Sequence, residues 1–86
     1  MKLEAIELNK KYFCIGLHIK NHGTEIFGNF IINELNISKE NYINILKNNY
    51  VKYDSYNFEY YFENKKNTEK AIEELESYLI MNKLTE

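Results

Sequence analysis

The sequence predicts an α+β domain: a small antiparallel sheet, made of an N-terminal hairpin plus a strand near 57–63, covered by two to three helices. Three observations carry this. Tyr12 to Ile19 alternates, with Phe13, Ile15, Leu17 and Ile19 on one face and Tyr12, Cys14, Gly16 and His18 on the other. Asn57 to Glu63 alternates again, with Phe58, Tyr60 and Phe62 opposed to Asn57, Glu59 and Tyr61. Thr68 to about Lys83 instead places Ile72, Leu75 and Leu79 at helical spacing, opposite Glu69, Lys70, Glu73, Glu74 and Glu76. Period two marks a half-buried strand and period 3.6 an amphipathic helix.

Each element follows from local chemistry. Leu3 to Leu8 is short and fits either a strand or a helix; as a strand it pairs most economically with Tyr12–Ile19 across the polar break Asn9-Lys10-Lys11, because three-residue hairpin loops are common. Asn21-His22-Gly23 reads as a turn. Thr24 to Leu35 fits two periods, Ile26, Phe30 and Ile32 alternating as in a strand and Phe27, Phe30, Ile31, Glu34 and Leu35 spaced as in a helix; the preferred reading is a short extended start and then a helix from about Asn29. Ser38 is an N-cap for a helix from Lys39 to about Asn49, with Glu40 in its first turn and Ile43, Leu46 and Tyr50 on one stripe. Val51 to Ser55 reads as a connection, Asn64-Lys65-Lys66-Asn67 as a turn, and Asn67 or Thr68 as the cap of the last helix. The order is β-β-α-α-β-α in a single domain, residues 1–86. The expected core is Phe13, Ile15, Leu17, Phe58, Phe62, Ile72, Leu75 and Leu79.

Composition narrows the function classes. A chain of 86 residues buries only about 60% of the surface its unfolded form exposes, which leaves little room for a buried active site. Ile, Asn, Lys, Tyr and Phe fill 48 of the 86 positions, a bias that A/T-rich codons would produce. Every one of the 11 basic residues is Lys, and the net charge is −2. Without Arg there are no bidentate phosphate contacts, and no strong basic stripe drives nucleic-acid binding. Acids near the N-terminus, no apolar run of membrane length and a single cysteine point to the cytoplasm and away from a membrane.

Catalytic and metal chemistry find few residues. Cys14, His18 and His22 form C-x3-H-x3-H, but no second Cys or His cluster completes a zinc set, so neither metal nor cofactor is expected. Asp54 reads as a turn residue, and the carboxylates of the last helix as a solvated face. Gly16, Gly23 and Gly28 form no phosphate-cradling pattern. The chain is expected not to be an enzyme.

Binding is better represented. Tyr50, Tyr53, Tyr56, Tyr60 and Tyr61 lie within twelve positions, and exposed tyrosines suit interfaces because they bring contact area and a hydroxyl at small entropic cost. The surface of Tyr53, Tyr56 and Tyr61, or the acidic helix face of Glu69, Glu73 and Glu76, is the expected contact to a larger intracellular protein or nucleoprotein complex. In size and A/T-biased composition the chain is similar to phage-encoded antagonists of bacterial defence, such as anti-CRISPR proteins. That likeness implies a small inhibitor or adaptor.

A second resemblance is local. Ile31 to Leu46 resembles a helix-turn-helix: Ile31, Leu35, Ile37, Ser38, Ile45 and Leu46 match its apolar and capping positions, and Asn36 stands where Gly is usual. Ile32 replaces a usually small residue and Tyr42 a smaller core residue. The resemblance implies a DNA-binding regulator, working as a homodimer, with Lys39, Asn41, Asn44, Lys47 and Asn48 toward the groove.

Overall fold

The computed structural model describes residues 1–85, with side chains for 1–82. It is an α+β fold. Five strands, β1 (Lys2–Leu8), β2 (Tyr12–Ile19), β3 (Gly23–Glu25), β4 (Lys52–Asp54) and β5 (Glu59–Phe62), accompany three helices, α1 (Gly28–Leu35), α2 (Lys39–Leu46) and α3 (Lys65–Thr85).

The antiparallel sheet runs β1-β2-β5-β4, with β3 also paired to β2. The hairpin register sets Leu3 opposite Leu17 and Leu8 opposite Tyr12. Its turn holds Asn9 at φ 53° and Lys10 at φ 58° and closes with Lys11 N–H to Leu8 O at 3.1 Å. Two consecutive positive φ values give the twist that antiparallel strands prefer. β5 joins the other side of β2, with Phe13 opposite Phe62 and Cys14 opposite Tyr61.

Expectations change here. The strand expected near 57–63 is Glu59–Phe62, and α2 ends at Leu46 rather than about Asn49. Val51 to Ser55 is not a plain connection: Lys52, Tyr53 and Asp54 pair with Tyr61, Tyr60 and Glu59. Three residues are too few to display alternation, and the backbone pairing only exists once β5 is in place. α3 begins at Lys65 rather than Thr68, because Asn64 caps it, its Oδ1 accepting from Asn67 N–H at 2.8 Å. Thr68, fully buried, donates its hydroxyl to Asn64 O.

All three helices lie toward one face of the sheet. α3 packs on β1, β2 and β5, α2 on α3, and α1 on β5. Between the layers sit Leu3, Ile15, Leu17, Ile31, Ile37, Tyr42, Leu46, Phe58, Tyr60, Phe62, Ala71, Ile72 and Leu75, with Phe13 half-buried against them. Leu79, expected in the core, is also only half-buried. The helix α1 ends at Asn36, which takes the left-handed conformation (φ 55°, ψ 48°), and Ser38 caps α2 by accepting from Asn41 N–H at 3.1 Å. Asn tolerates that conformation better than other residues with a side chain.

Phe58 is the pivot between helices and sheet. It sits at φ 57°, a strained region for a bulky residue. Its buried ring lies 5.6 Å from Tyr42, 6.0 Å from Tyr53 and 5.6 Å from Tyr60, and that packing offsets the strain. Gly28, at the start of α1, lies directly against the Phe58 backbone and donates its N–H to Asn57 O at 3.1 Å. No side chain could occupy that position, since a Cβ would lie 1.7 Å from Phe58 O.

Candidate functional site

The pleat assigns the sheet's side chains to two faces. The helix-free face carries Glu4, Ile6 and Leu8 of β1, Tyr12, Cys14, Gly16 and His18 of β2, Thr24 of β3, Lys52 of β4, and Glu59 and Tyr61 of β5. Gly16 lets its neighbours close over β2: a Cβ there would meet Ile6 Cγ1 at 2.6 Å and Thr24 Cγ2 at 2.9 Å.

Cys14 and Glu59 are thereby buried on a face no helix covers, at 1% and 5% exposure. Glu59, on the face opposite Phe58, Tyr60 and Phe62 as its alternation predicts, is buried there and accepts a hydrogen bond from the Tyr61 hydroxyl. The alternation places Glu59 correctly, but only the neighbouring strands decide that water is excluded there. Burial, and then the Glu59 charge, push the Cys14 thiol up to about 12. The bond to Glu59, burial, and the charges of Glu59 and Asp54 raise Tyr61. A thiol so held is a poor nucleophile. His18 and His22 are both exposed, His18 Nδ1 near Thr24 Oγ1 and His22 Nε2 3.2 Å from Glu25. Among the described residues, no group of three His, Cys, Asp or Glu side chains is placed to hold a metal ion.

The tyrosines separate. Tyr53 and Tyr60 point to the helix side of the β4–β5 pair, Tyr61 to the other. Tyr53 is 41% and Tyr56 88% exposed, and Tyr50 and Val51 are exposed beside them. Tyr53 leans on Tyr60 at 4.7 Å between ring centroids, and Tyr50 meets the same ring at 4.8 Å. Burial, with Tyr53 and Tyr50 adding to it, raises the Tyr60 hydroxyl to about 12. Asp54 fixes the turn beneath Tyr56, its Oδ1 accepting from Tyr56 N–H at 2.9 Å and Asn57 N–H at 3.4 Å. A ring almost wholly in water on a braced turn, next to two half-covered rings, is a preorganised aromatic surface.

Tyr61 turns its back on that surface. It lines a second cleft with Leu8, Asn9, Lys11, Tyr12 and Lys52. Glu69, Glu73 and Glu76 lie elsewhere again, lining a groove of about 510 Å³ between α3 and β1 with Lys2, Leu3, Glu4, Ala5, Lys65 and Ile72. β1 and β4 are the two ends of the strand path, about 14 Å apart at ordinary strand spacing. The six expected partner contacts therefore form three patches, because Tyr61 is parted from Tyr53 and Tyr56. Sequence spacing does not reveal this, because sheet order is a property of the fold.

The helix-turn-helix segment is two helices joined through a left-handed Asn36, as its residues predict. Its expected groove-facing residues divide. Asn41 is half-buried and donates to the Tyr78 hydroxyl at 2.7 Å, tying α2 to α3. The Lys39 ammonium lies 5.1 Å from the Phe58 ring centroid. Asn44, Lys47 and Asn48 are exposed, alongside Glu40 and Ile43. Tyr42, a departure from the motif, is a buried hub against Phe58 and Tyr60, and burial drives its hydroxyl well above the usual tyrosine range.

No helix among the described residues is long and apolar enough to cross a membrane. No protein-family model, curated protein or solved structure matches the chain.

Proposed function

We propose that the chain is a non-catalytic protein-binding module, a small inhibitor or adaptor that acts on a larger protein inside the cell, in the manner of phage-encoded anti-defence proteins such as anti-CRISPR proteins. The observation that carries the reading is the exposed aromatic surface of Tyr50, Val51, Tyr53 and Tyr56 around the short strand β4. Isolated apolar residues on a surface need no explanation, but four in seven positions, braced from below by Asp54 and Tyr60, form the kind of centre on which interfaces concentrate their energy.

The test is affinity capture of a partner from a bacterial lysate, with nuclease present, by the intact chain and by the Tyr53→Ala/Tyr56→Ala double variant. A partner retained by the intact chain and released by the variant, at unchanged circular dichroism, supports the reading. A partner held equally by both refutes this surface. Anchoring aromatics at an interface centre each cost at least about 2 kcal/mol on truncation, so the double variant should weaken binding by a factor of 100 or more.

A second reading, a small DNA-binding regulator, is favoured by the observed helix, left-handed turn and capped helix over Gly28–Leu46. Asn44, Lys47 and Asn48 are the free polar residues it offers, with Glu40 opposing phosphate. Titration of mixed duplex DNA at about 0.05 M salt discriminates, since the phosphate attraction is strongest there. No binding at that salt ends this reading.

A further inference from the structure

We infer that the free edge of β1 is a second binding site, one that accepts an extended, lysine-rich segment of another protein as an added antiparallel strand. This lies beyond the aromatic surface around β4 and does not depend on it. β1 is seven residues long and pairs with β2 along its whole length. Among the described residues no strand pairs with its other edge. An unpaired strand edge of that length presents a row of backbone donors and acceptors and is a template for one more strand.

The groove shows where that strand would lie. It is lined by four consecutive residues, Lys2, Leu3, Glu4 and Ala5. Side chains of consecutive strand residues point to opposite faces, so a cleft touching all four runs along the edge. Its far wall is one stripe of α3: Lys65, Glu69, Ile72, Glu73 and Glu76. Leu3 and Ile72 are buried residues at its base.

Charge selects the occupant. Four carboxylates and two ammonium groups line the groove, three of the carboxylates on the α3 wall, and Glu69, Glu73 and Glu76 have no ion-pair or hydrogen-bond partner among the described residues. A second copy of β1 would bring this acidic wall against its own image, and like charges in register oppose association. A segment alternating lysine with β-branched residues meets the requirements: backbone pairing with β1, and one row of lysines on the α3 side, their methylene stems over Leu3 and Ile72 and their ammonium groups toward the glutamates, with the β-branched row on the helix-free face.

The probe is a fluorescein-labelled heptapeptide alternating lysine and valine, titrated into the full chain and followed by anisotropy, with hydrogen exchange of the β1 amides read in parallel. Saturable binding with slowed exchange in β1 is expected. The same peptide with alternate backbone amides N-methylated should bind at least about 10-fold more weakly, because it cannot complete the ladder on one edge. A glutamate-for-lysine peptide should fail to bind, and Glu69→Lys/Glu73→Lys should weaken binding about 10-fold or more. These helix-surface changes leave the core untouched, and Tyr53→Ala/Tyr56→Ala should leave peptide affinity unchanged. Equal binding of the N-methylated peptide, or unaltered β1 exchange, overturns the inference. So does concentration-dependent dimerisation in which β1 amides are already protected without peptide.

Discussion

Replacing Gly28 by alanine should destabilise the fold severely, although the same change in an ordinary helix would help. Within a helix, Ala is favoured over Gly by up to about 1 kcal/mol. Here the new Cβ would lie 1.7 Å from the carbonyl oxygen of Phe58 and 2.8 Å from its carbonyl carbon. An ordinary contact is about 3.5 Å, so the two backbones must separate by roughly 1.8 Å. That opening breaks the Gly28 N–H to Asn57 O hydrogen bond and loosens the Phe58 ring from Tyr42 and Tyr60. Losing the bond costs about 1 kcal/mol, and overpacking of this kind a further 1–3 kcal/mol or so. After crediting the helix gain, the net loss is about 1–3 kcal/mol. A domain of this size holds about 4–13 kcal/mol in all. The melting temperature should therefore fall by roughly 4–24 °C. Urea titration by circular dichroism gives the free energy directly, with the slope expected to stay constant. A Gly28→Ala variant as stable as the parent, or more stable, would refute the close approach of α1 to the β4–β5 turn.

Three further outcomes follow from the same structure. Lys10→Gly should stabilise the protein by about 0.5–1 kcal/mol in the same titration, because Lys10 holds φ 58° in the hairpin turn and glycine removes that strain against some loss of chain entropy. Cys14 and Tyr60, each raised to about 12, and Tyr42 and Tyr61, also raised, stay neutral in the fold where the unfolded chain has begun to ionise. Stability should be fully present below about pH 8.5 and fall progressively as pH rises toward 12, by up to about 1.4 kcal/mol per pH unit for each deeply buried group. Equilibrium unfolding at pH 7, 9 and 10.5 checks this, and Ellman's reagent should reach Cys14 at pH 8 only at the rate of unfolding. Asn41→Ala and Tyr78→Phe should each cost about 1 kcal/mol and be non-additive in a double-mutant cycle, since both remove the bond joining α2 to α3.

The acidic groove and the aromatic surface differ in how openly the chain displays them. Glu69, Glu73 and Glu76 recur on one side of a helix whose other side is apolar, so their exposure is written in the periodicity. That they form the wall of a groove is not, because the other wall is β1, more than 60 residues away in the chain. Tyr53 and Tyr61 illustrate the same limit in the sheet. Alternation alone distinguishes Tyr60 from Tyr61, but Tyr53 acquires a side only by pairing with Tyr60. Asn41 and Lys39 look like free polar residues on an exposed helix, yet Tyr78 and Phe58 engage them from distant segments.

Local chemistry alone determined several element types: the strand over Tyr12–Ile19, the left-handed turn at Asn36, the Ser38 cap and the long amphipathic α3. Each depends on neighbours within a few positions, through backbone preference and side-chain period. Tertiary structure decided what those elements leave open. It paired β4 with β5, buried Glu59 and Cys14 on a helix-free face, set Gly28 against Phe58, and left β1 as a free edge above an acidic wall. Those outcomes come from contacts between residues far apart in the chain, where excluded volume and water access, not local preference, set the result.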